Sequence, residues 1–326
     1  MKPYTEKNDK NYKDKLKARI QQLKKERNAV ILAHYYQRDE IQEIADIKGD
    51  SLALSKAVMD TDADVIVFCG VLFMAETACI LNPDKTVLLP VKEAGCPMVD
   101  MVTVEMLQKK KKEYPKAVVV GYVNTSAAVK AECDICCTSS NAVDVVRSLK
   151  EKQVLFVPDK NLGKYIQSQL HDKEIIYWEG FCSTHVRVHE GQIKTAKRLH
   201  PDAEFVAHPE CEPSVLALAD HIASTAGIIK YVGKSKAKEF IIGTENGLLF
   251  ELRHQYPDRK FYIATEGFIC ADMKLTTLGW LARSLELMKY KVEVPEDIRI
   301  KAKKAVDKMV TVFSDKKEGQ APVFYK

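Results

Sequence analysis

TVLLPVKEAGC (residues 86–96), EIIYWEGFC (174–182) and KFYIATEGFIC (260–270) share one pattern, an apolar strand-like run that closes on a cysteine. Cys96, Cys182 and Cys270 stand 86 and 88 residues apart, a period that argues for three structural repeats. Other landmarks keep the register. Upstream of each cysteine an apolar run ends in a polar or aromatic triplet: His34-Tyr35-Tyr36, Tyr122-Val123-Asn124 and His208-Pro209-Glu210. The first residue of each triplet precedes its cysteine by 62, 60 and 62 residues. Some 16 or 17 residues after it comes a hydroxyl that opens a helical pattern: Ser51, Ser139 and Ser224, the last followed by Thr225. A further apolar run then stops in VIVFCG, VLFVPD and EFIIGT.

Each repeat reads strand, helix, short strand, helix, strand, helix, strand. In the first, the helices are RDEIQEIA, SLALSKAV and FMAETACIL. Strands alternating with helices of this length predict parallel sheets joined by right-handed crossovers. Near-continuous apolar strands fit sheets covered on both faces. The expected fold is α/β: three pseudo-threefold-related αβα domains, each with a small parallel sheet of about four strands. The expected boundaries are 1–100 with an N-terminal helix, 101–187, 188–272, and C-terminal helices over 273–326 that pack back on the first domain. Ligands of open parallel sheets bind beyond the carboxyl ends of the strands. All four landmarks sit there, so the site is expected where three such edges face one another.

Composition restricts the functions available. The chain is 46% apolar, enough for real cores, and carries a net charge of only +5. Much of that excess lies in KNYKDKLKARIQQLKKERN (10–28), which reads as the solvated face of an amphipathic helix rather than a nucleic-acid surface. The first apolar run, AVILA, is far too short to span a membrane, and no secretory signal is visible. Neither a nucleic acid nor a membrane is expected as a partner, and the cytoplasm is the expected location. Nine cysteines without such a signal point to reduced thiols and a metal or cluster.

Cys133, Cys136 and Cys137 resemble a metal-binding group, yet no second pair or nearby His pair completes it, and buried structural thiols are expected. Cys69, Cys79 and Cys211 are read the same way. Cys96, Cys182 and Cys270 differ because they are equivalent by repeat. Thiolates suit iron–sulfur clusters and zinc alike. Zinc would need a fourth ligand, with His185 beside Cys182 as the candidate. Structural zinc sites use close-spaced pairs within one small unit, so ligands from three domains favour a larger cofactor at a shared interface. Such a cluster would leave one iron open.

Ser51, Ser139 and Ser224 are expected to cap helices, beside unpaired N–H groups that favour phosphate or carboxylate. The triplets add His34 and His208 as donors, Tyr36 and Tyr122 as hydroxyl donors or acids, and Asn124 as an amide. Glu210 is their single carboxylate and the natural general base.

These motifs resemble the quinolinate synthase A family of de novo NAD biosynthesis. The likeness runs from AHYYQRDEIQEIAD and GDSLALSKA through FMAETACILNPDKTVLLP, AGCPM, YVNTSAAVKA, CTSSNAV and VPDKNLG. It continues through GFCSTH, HPEC, STAG and GTENGLLFEL to CADMKLTTL. The resemblance implies one [4Fe–4S] cluster per chain on Cys96, Cys182 and Cys270. It implies condensation of iminosuccinate (iminoaspartate) with dihydroxyacetone phosphate to quinolinate, phosphate and water. It places His34, Ser51, the Tyr122–Asn124 segment, Ser139, the His208–Glu210 segment and Thr225 against substrate, makes Tyr36 catalytic, and raises a transient contact with L-aspartate oxidase. The chain departs from some members at its third cysteine motif, where Cys270 is followed by Ala271, Asp272 and Met273, leaving no partner there for a disulfide switch.

Two other readings stay open on the residues alone: a different cluster-dependent hydro-lyase, and a non-catalytic iron–sulfur regulator or electron carrier. Gly233-Lys234-Ser235 resembles the end of a P-loop, but Ile228 stands where that motif needs glycine, so an ATPase is not expected.

Overall fold

The computed structural model describes residues 10–311. A basic helix, α1 (Lys10–Glu26), leads into the first unit: β1 (Ala29–His34), α2 (Asp39–Ile44), β2 (Ile47–Gly49), α3 (Ser51–Ala57), β3 (Val65–Cys69), α4 (Leu72–Leu81) and β4 (Thr86–Leu88). The second unit opens with α5 (Val104–Glu113). It continues with β5 (Val118–Tyr122), α6 (Ala127–Lys130), β6 (Ile135–Cys137), α7 (Ala142–Ser148), β7 (Gln153–Val157), α8 (Lys160–Gln169) and β8 (Glu174–Tyr177). The third opens with α9 (Glu190–Leu199). Then come β9 (Glu204–Ala207), α10 (Pro213–Leu216), β10 (His221–Ile222), α11 (Thr225–Lys234), β11 (Glu239–Gly243), α12 (Leu248–Gln255) and β12 (Lys260–Ile263). Two helices, α13 (Leu278–Leu287) and α14 (Glu296–Thr311), complete the described chain.

Each unit holds one four-stranded sheet, with orders β2-β1-β3-β4, β6-β5-β7-β8 and β10-β9-β11-β12, and all pairings between these strands are parallel. The fold is α/β, as expected. The reason lies in the strands: β3, VIVFC, is buried at every residue because helices cover both its faces.

The triplication extends to single hydrogen bonds. Asp46, Asp134 and Asp220 each precede the short second strand of a unit. Each accepts, at 2.8 Å, the N–H of the residue fifteen positions earlier in the first strand: Ile31, Val119 and Phe205. Each also donates its own N–H back to that residue's carbonyl. One aspartate per unit therefore sets the register of the outermost strand pair.

The terminal helices tie the units together. α13 buries Leu278, Leu281 and Leu285 against Leu16, Ile20 and Leu23 of α1, on the first unit. α14 buries Ala302, Ala305, Val306, Met309 and Val310, the spacing of one helical face. That face packs on α4 of the first unit and equally on α6 and β6 of the second, so it covers the seam between them as well as the first domain. The remainder of the expected C-terminal segment, 312–326, and residues 1–9 lie outside the described residues.

Close packing positions the cysteine loops. Gly180 follows β8 on the way to Cys182, bridges to Asp159, and accepts the Lys160 N–H at 2.9 Å. A Cβ at Gly180 would stand 2.4 Å from the Pro158 carbonyl oxygen, a main-chain atom that cannot swing aside. Gly180→Ala is expected to destabilise the fold by about 1–3 kcal/mol through overpacking, read as a lower urea midpoint at unchanged slope. An unshifted midpoint would show that the loop yields freely.

Candidate active site

The carboxyl ends of the three sheets open on one cavity. Its wall holds Cys96, Cys182 and Cys270, one from each unit, and His34, Tyr36, Ser51, Tyr122, Asn124, Ser139, His208, Glu210 and Thr225. Val123, Pro209 and Ser224 do not contribute to that wall: Val123 is core, and the Ser224 hydroxyl caps α11 and meets Ser140 at 2.9 Å.

The triplets lie where the first strands run out. His34 ends β1, Tyr122 ends β5 and His208 directly follows β9. The two histidines are set alike. The Tyr36 N–H donates to His34 Nδ1 at 3.1 Å, and the Glu210 N–H donates to His208 Nδ1 at 3.3 Å. With Nδ1 occupied as an acceptor, the proton belongs on Nε2. At His208 that nitrogen reaches the Ser139 hydroxyl at 3.2 Å, across the boundary between the second and third units. Burial drives both histidines toward the neutral form, His34 to about 4 and His208 to about 3; nearby carboxylates, Glu210 in each case, oppose the shift without cancelling it.

Glu210 is 3% exposed and meets one donor on each oxygen. Tyr122 OH donates to Oε1 at 2.7 Å, and His185 Nδ1 lies 2.9 Å from Oε2. Burial alone would raise its pKa; the hydrogen bonds from Tyr122 and His185 favour the charged form, and the group stays a carboxylate. Tyr36 and Tyr122 are pushed well above the ordinary phenol value, first by burial and then by Glu210, so both keep their protons. A chain of hydroxyls connects these groups. Tyr36 OH lies 2.8 Å from Thr225 Oγ1 and 2.7 Å from Thr244 Oγ1, and Thr244 Oγ1 lies 2.9 Å from His185 Nε2. The loop that carries Tyr36 is held by Lys274, whose ammonium donates to the Tyr36 carbonyl at 2.7 Å.

The expectation of three serine caps needs correction. Asp50, not Ser51, caps α3, its carboxylate accepting the Ala53 N–H at 2.9 Å. Aspartate and serine are about equally able caps, and here the carboxylate takes the place and fills the helix end with its own negative charge. Ser139 sits in a turn closed by Asn141, whose Oδ1 accepts the Thr138 N–H at 2.7 Å, and α7 begins only after Asn141. Ser224 alone caps as expected, accepting the Gly227 N–H at 3.2 Å. Ser51 and Ser139 therefore line the cavity without capping a helix.

Cys96 is within electrostatic reach of the other two thiols: Cys270 raises the pKa of Cys96, and Cys96 that of Cys182, though burial is the larger cause in both. A metal centre that binds them must displace their protons. Three soft sulfurs from three units on one wall fit a cluster-sized group. A smaller set also exists: Cys182 Sγ, a ring nitrogen of His185 and a Glu210 oxygen lie within 4.8 Å of one another. His185 Nδ1 is 3.1 Å from Cys182 Sγ, but it also serves Glu210, so a single ion there would break that bond. The other six cysteines are absent from the cavity wall; all nine are free thiols. Among the described residues no helix is long and apolar enough to cross a membrane.

The family model described as "Quinolinate synthetase A protein" matches residues 18–311. The chain belongs to this family. It is 57% identical over 300 residues to a protein named quinolinate synthase from Geobacter sp., covering 92% of this chain and 98% of that one. It is 56% identical over 294 residues to quinolinate synthase 2 of Methanosarcina acetivorans, covering 90% and 94%. The quinolinate synthase of Thermodesulfovibrio yellowstonii is 54% identical over 292 residues, covering 90% and 96%.

His185, Thr244, Asp50 and Lys274 complete the polar network, and the sequence pattern singled out only His185, as a zinc ligand. Its neighbour Cys182 was the signal available for it; the others carry no motif of their own.

The buried histidines make stability depend on pH. A histidine kept neutral in the fold takes its proton only on unfolding, so below its ordinary value of about 6.5 the unfolded state gains protons that the folded state refuses. Stability is therefore lost as pH falls from about 6.5 toward the folded values of about 4 and 3. Between pH 7 and 5 each histidine should cost about 2 kcal/mol. Glu210, held down to about 2, begins to act only below about pH 4.5. Urea unfolding at the two pH values checks this. His34→Gln should flatten the dependence, and an unflattened curve would contradict the neutral assignment.

Proposed function

We propose that this enzyme, as a quinolinate synthase, condenses iminosuccinate with dihydroxyacetone phosphate, releasing phosphate and water, on a three-cysteine [4Fe–4S] centre. The observation that carries the reading is the single wall shared by Cys96, Cys182 and Cys270, drawn from three units and facing Glu210, His34 and His208. A cluster held by three protein thiolates would supply Lewis-acid polarisation of a substrate oxygen or nitrogen at its remaining iron.

The protein's own contribution follows from the site. Iminosuccinate and the triose together carry two carboxylates and a phosphate. Neutral His34 offers an Nε2–H donor to such anions, the His208 Nε2–H acts through the Ser139 hydroxyl, and Ser51, Ser139, Thr225 and Asn124 add hydroxyl and amide donors on the same wall. Glu210 is ionised and buried, and it is the group that accepts a proton as the carbon–carbon bond forms. Tyr122, already donating to Glu210, and Tyr36, kept protonated by burial, are the acids that return protons to leaving oxygen. Enclosure between three units shields an imine that water would hydrolyse. This chemistry is a carbon–carbon-forming transfer, placed in de novo NAD biosynthesis in the cytoplasm. An aspartate oxidase that hands over the labile imine is the partner it implies.

Anaerobic turnover with both substrates, read as quinolinate formed, tests the assignments. Glu210→Gln should lower kcat about 10²- to 10⁴-fold while the visible absorption of the cluster persists. Full turnover by that variant would remove Glu210 as the base. Cys182→Ser should abolish the absorption, and its survival would remove Cys182 from the ligand set.

A further inference from the structure

The residue two places beyond the third strand of each unit faces the loop that bears the cysteine. In the second unit it is Asp159, 0% exposed. Its Oδ2 accepts the backbone N–H of Cys182 at 3.1 Å, while Oδ1 caps α8 through the Leu162 N–H at 2.8 Å. In the third unit it is Glu245, also 0% exposed. Its Oε1 accepts the backbone N–H of Cys270 at 3.1 Å, and Oε2 accepts the Gly247 N–H at 2.7 Å, with Lys274 Nζ 3.0 Å from Oε1. Two different acids, set in two separate repeats, thus bind the same atom of equivalent cysteines. The first unit has Val71 at this place, an apolar side chain without an acceptor; there the Leu72 N–H bonds the Ala94 carbonyl directly at 2.8 Å.

A carboxylate is a costly choice for this place. Taking it out of water costs several kcal/mol and raises the pKa of both acids, and a negative group beside a thiolate adds Coulomb repulsion. What it supplies in return is geometric: two acceptor oxygens on one rigid plane, one for the helix or turn that follows the strand and one for the cysteine peptide. We propose that Asp159 and Glu245 are positioning residues that fix the main chain at Cys182 and Cys270, so that both sulfurs are aimed at the shared centre before the inorganic group arrives. Support of this kind around a metal ligand is what tunes retention. The third unit carries the idea one step further. Lys274, paired with Glu245, also holds the Tyr36 carbonyl, so the Cys270 latch and the Tyr36 loop share one anchor.

The proposal rests on the three-cysteine reading above, and two readouts on the full chain separate the failure of one from the failure of the other. The first is the rate at which an iron chelator bleaches the visible absorption of the anaerobically loaded protein. Asp159→Asn and Glu245→Gln keep size but turn one acceptor oxygen into an NH₂ group facing a backbone N–H, and each should bleach about tenfold faster. The second readout is alkylation of the cluster-free chain, resolved by residue with mass spectrometry. Cys182 should react faster in Asp159→Asn with Cys270 unchanged, and Cys270 faster in Glu245→Gln with Cys182 unchanged. If Asp159→Asn fails to fold, Asp159→Ser retains an α8 cap but is too short to reach Cys182, and it should show the same Cys182-only effect. Wild-type rates in both variants, or acceleration of both cysteines in either, would overturn the proposal. Absence of a cluster from the unsubstituted chain would sink the functional reading and leave the alkylation result standing.

Discussion

Three parallel sheets that turn their carboxyl strand ends toward one another collect buried polar groups around one cavity. Each such group left without a partner costs about 1–3 kcal/mol. The chain meets this constraint with bonds that run from unit to unit. Tyr36 of the first reaches Thr225 and Thr244 of the third, Tyr122 of the second reaches Glu210 of the third, and Ser139 of the second reaches His208 of the third. The groups that satisfy the fold are thus the groups that line the cavity. Their protonation follows from the same burial: histidines neutral with a single ring proton, tyrosines protonated, and one carboxylate kept ionised by its donors.

The three units are copies in topology but not in chemistry, and that difference makes a site out of a repeat. His34 and His208 keep the same hydrogen-bonding device at the end of the first strand, whereas the second unit has Tyr122 there. Glu210 follows His208 by two residues where the first unit has Tyr36, so a phenol and a carboxylate occupy equivalent places in different units. The register aspartates Asp46, Asp134 and Asp220, by contrast, are identical in role because they serve the sheet and not the cavity.

Much of this was legible in the sequence because it is carried by period and residue type. Apolar runs such as VIVFC and VLFV, set between helical patterns, read as strands covered on both faces, and the equivalent cysteines and triplets marked the strand ends. What escaped reading depends on which of several competent groups wins a place. Asp50 and Ser51 are both able caps, and only packing shows that the carboxylate takes the helix end and frees the hydroxyl. Asp159 and Glu245 carry no motif of their own, and nothing local reveals that each holds a cysteine peptide. The cover of α14 over two units was equally hidden, since its apolar face is the same whichever surface it meets.

The central claim is that three distant thiols hold one inorganic cluster, and metal content tests it most directly. Protein purified without oxygen and analysed for iron, acid-labile sulfide and zinc should contain about four irons and four sulfides per chain, the composition of one cubane cluster. A chain that carries a single zinc in place of iron and sulfide, with quinolinate formed at full rate, would contradict the account.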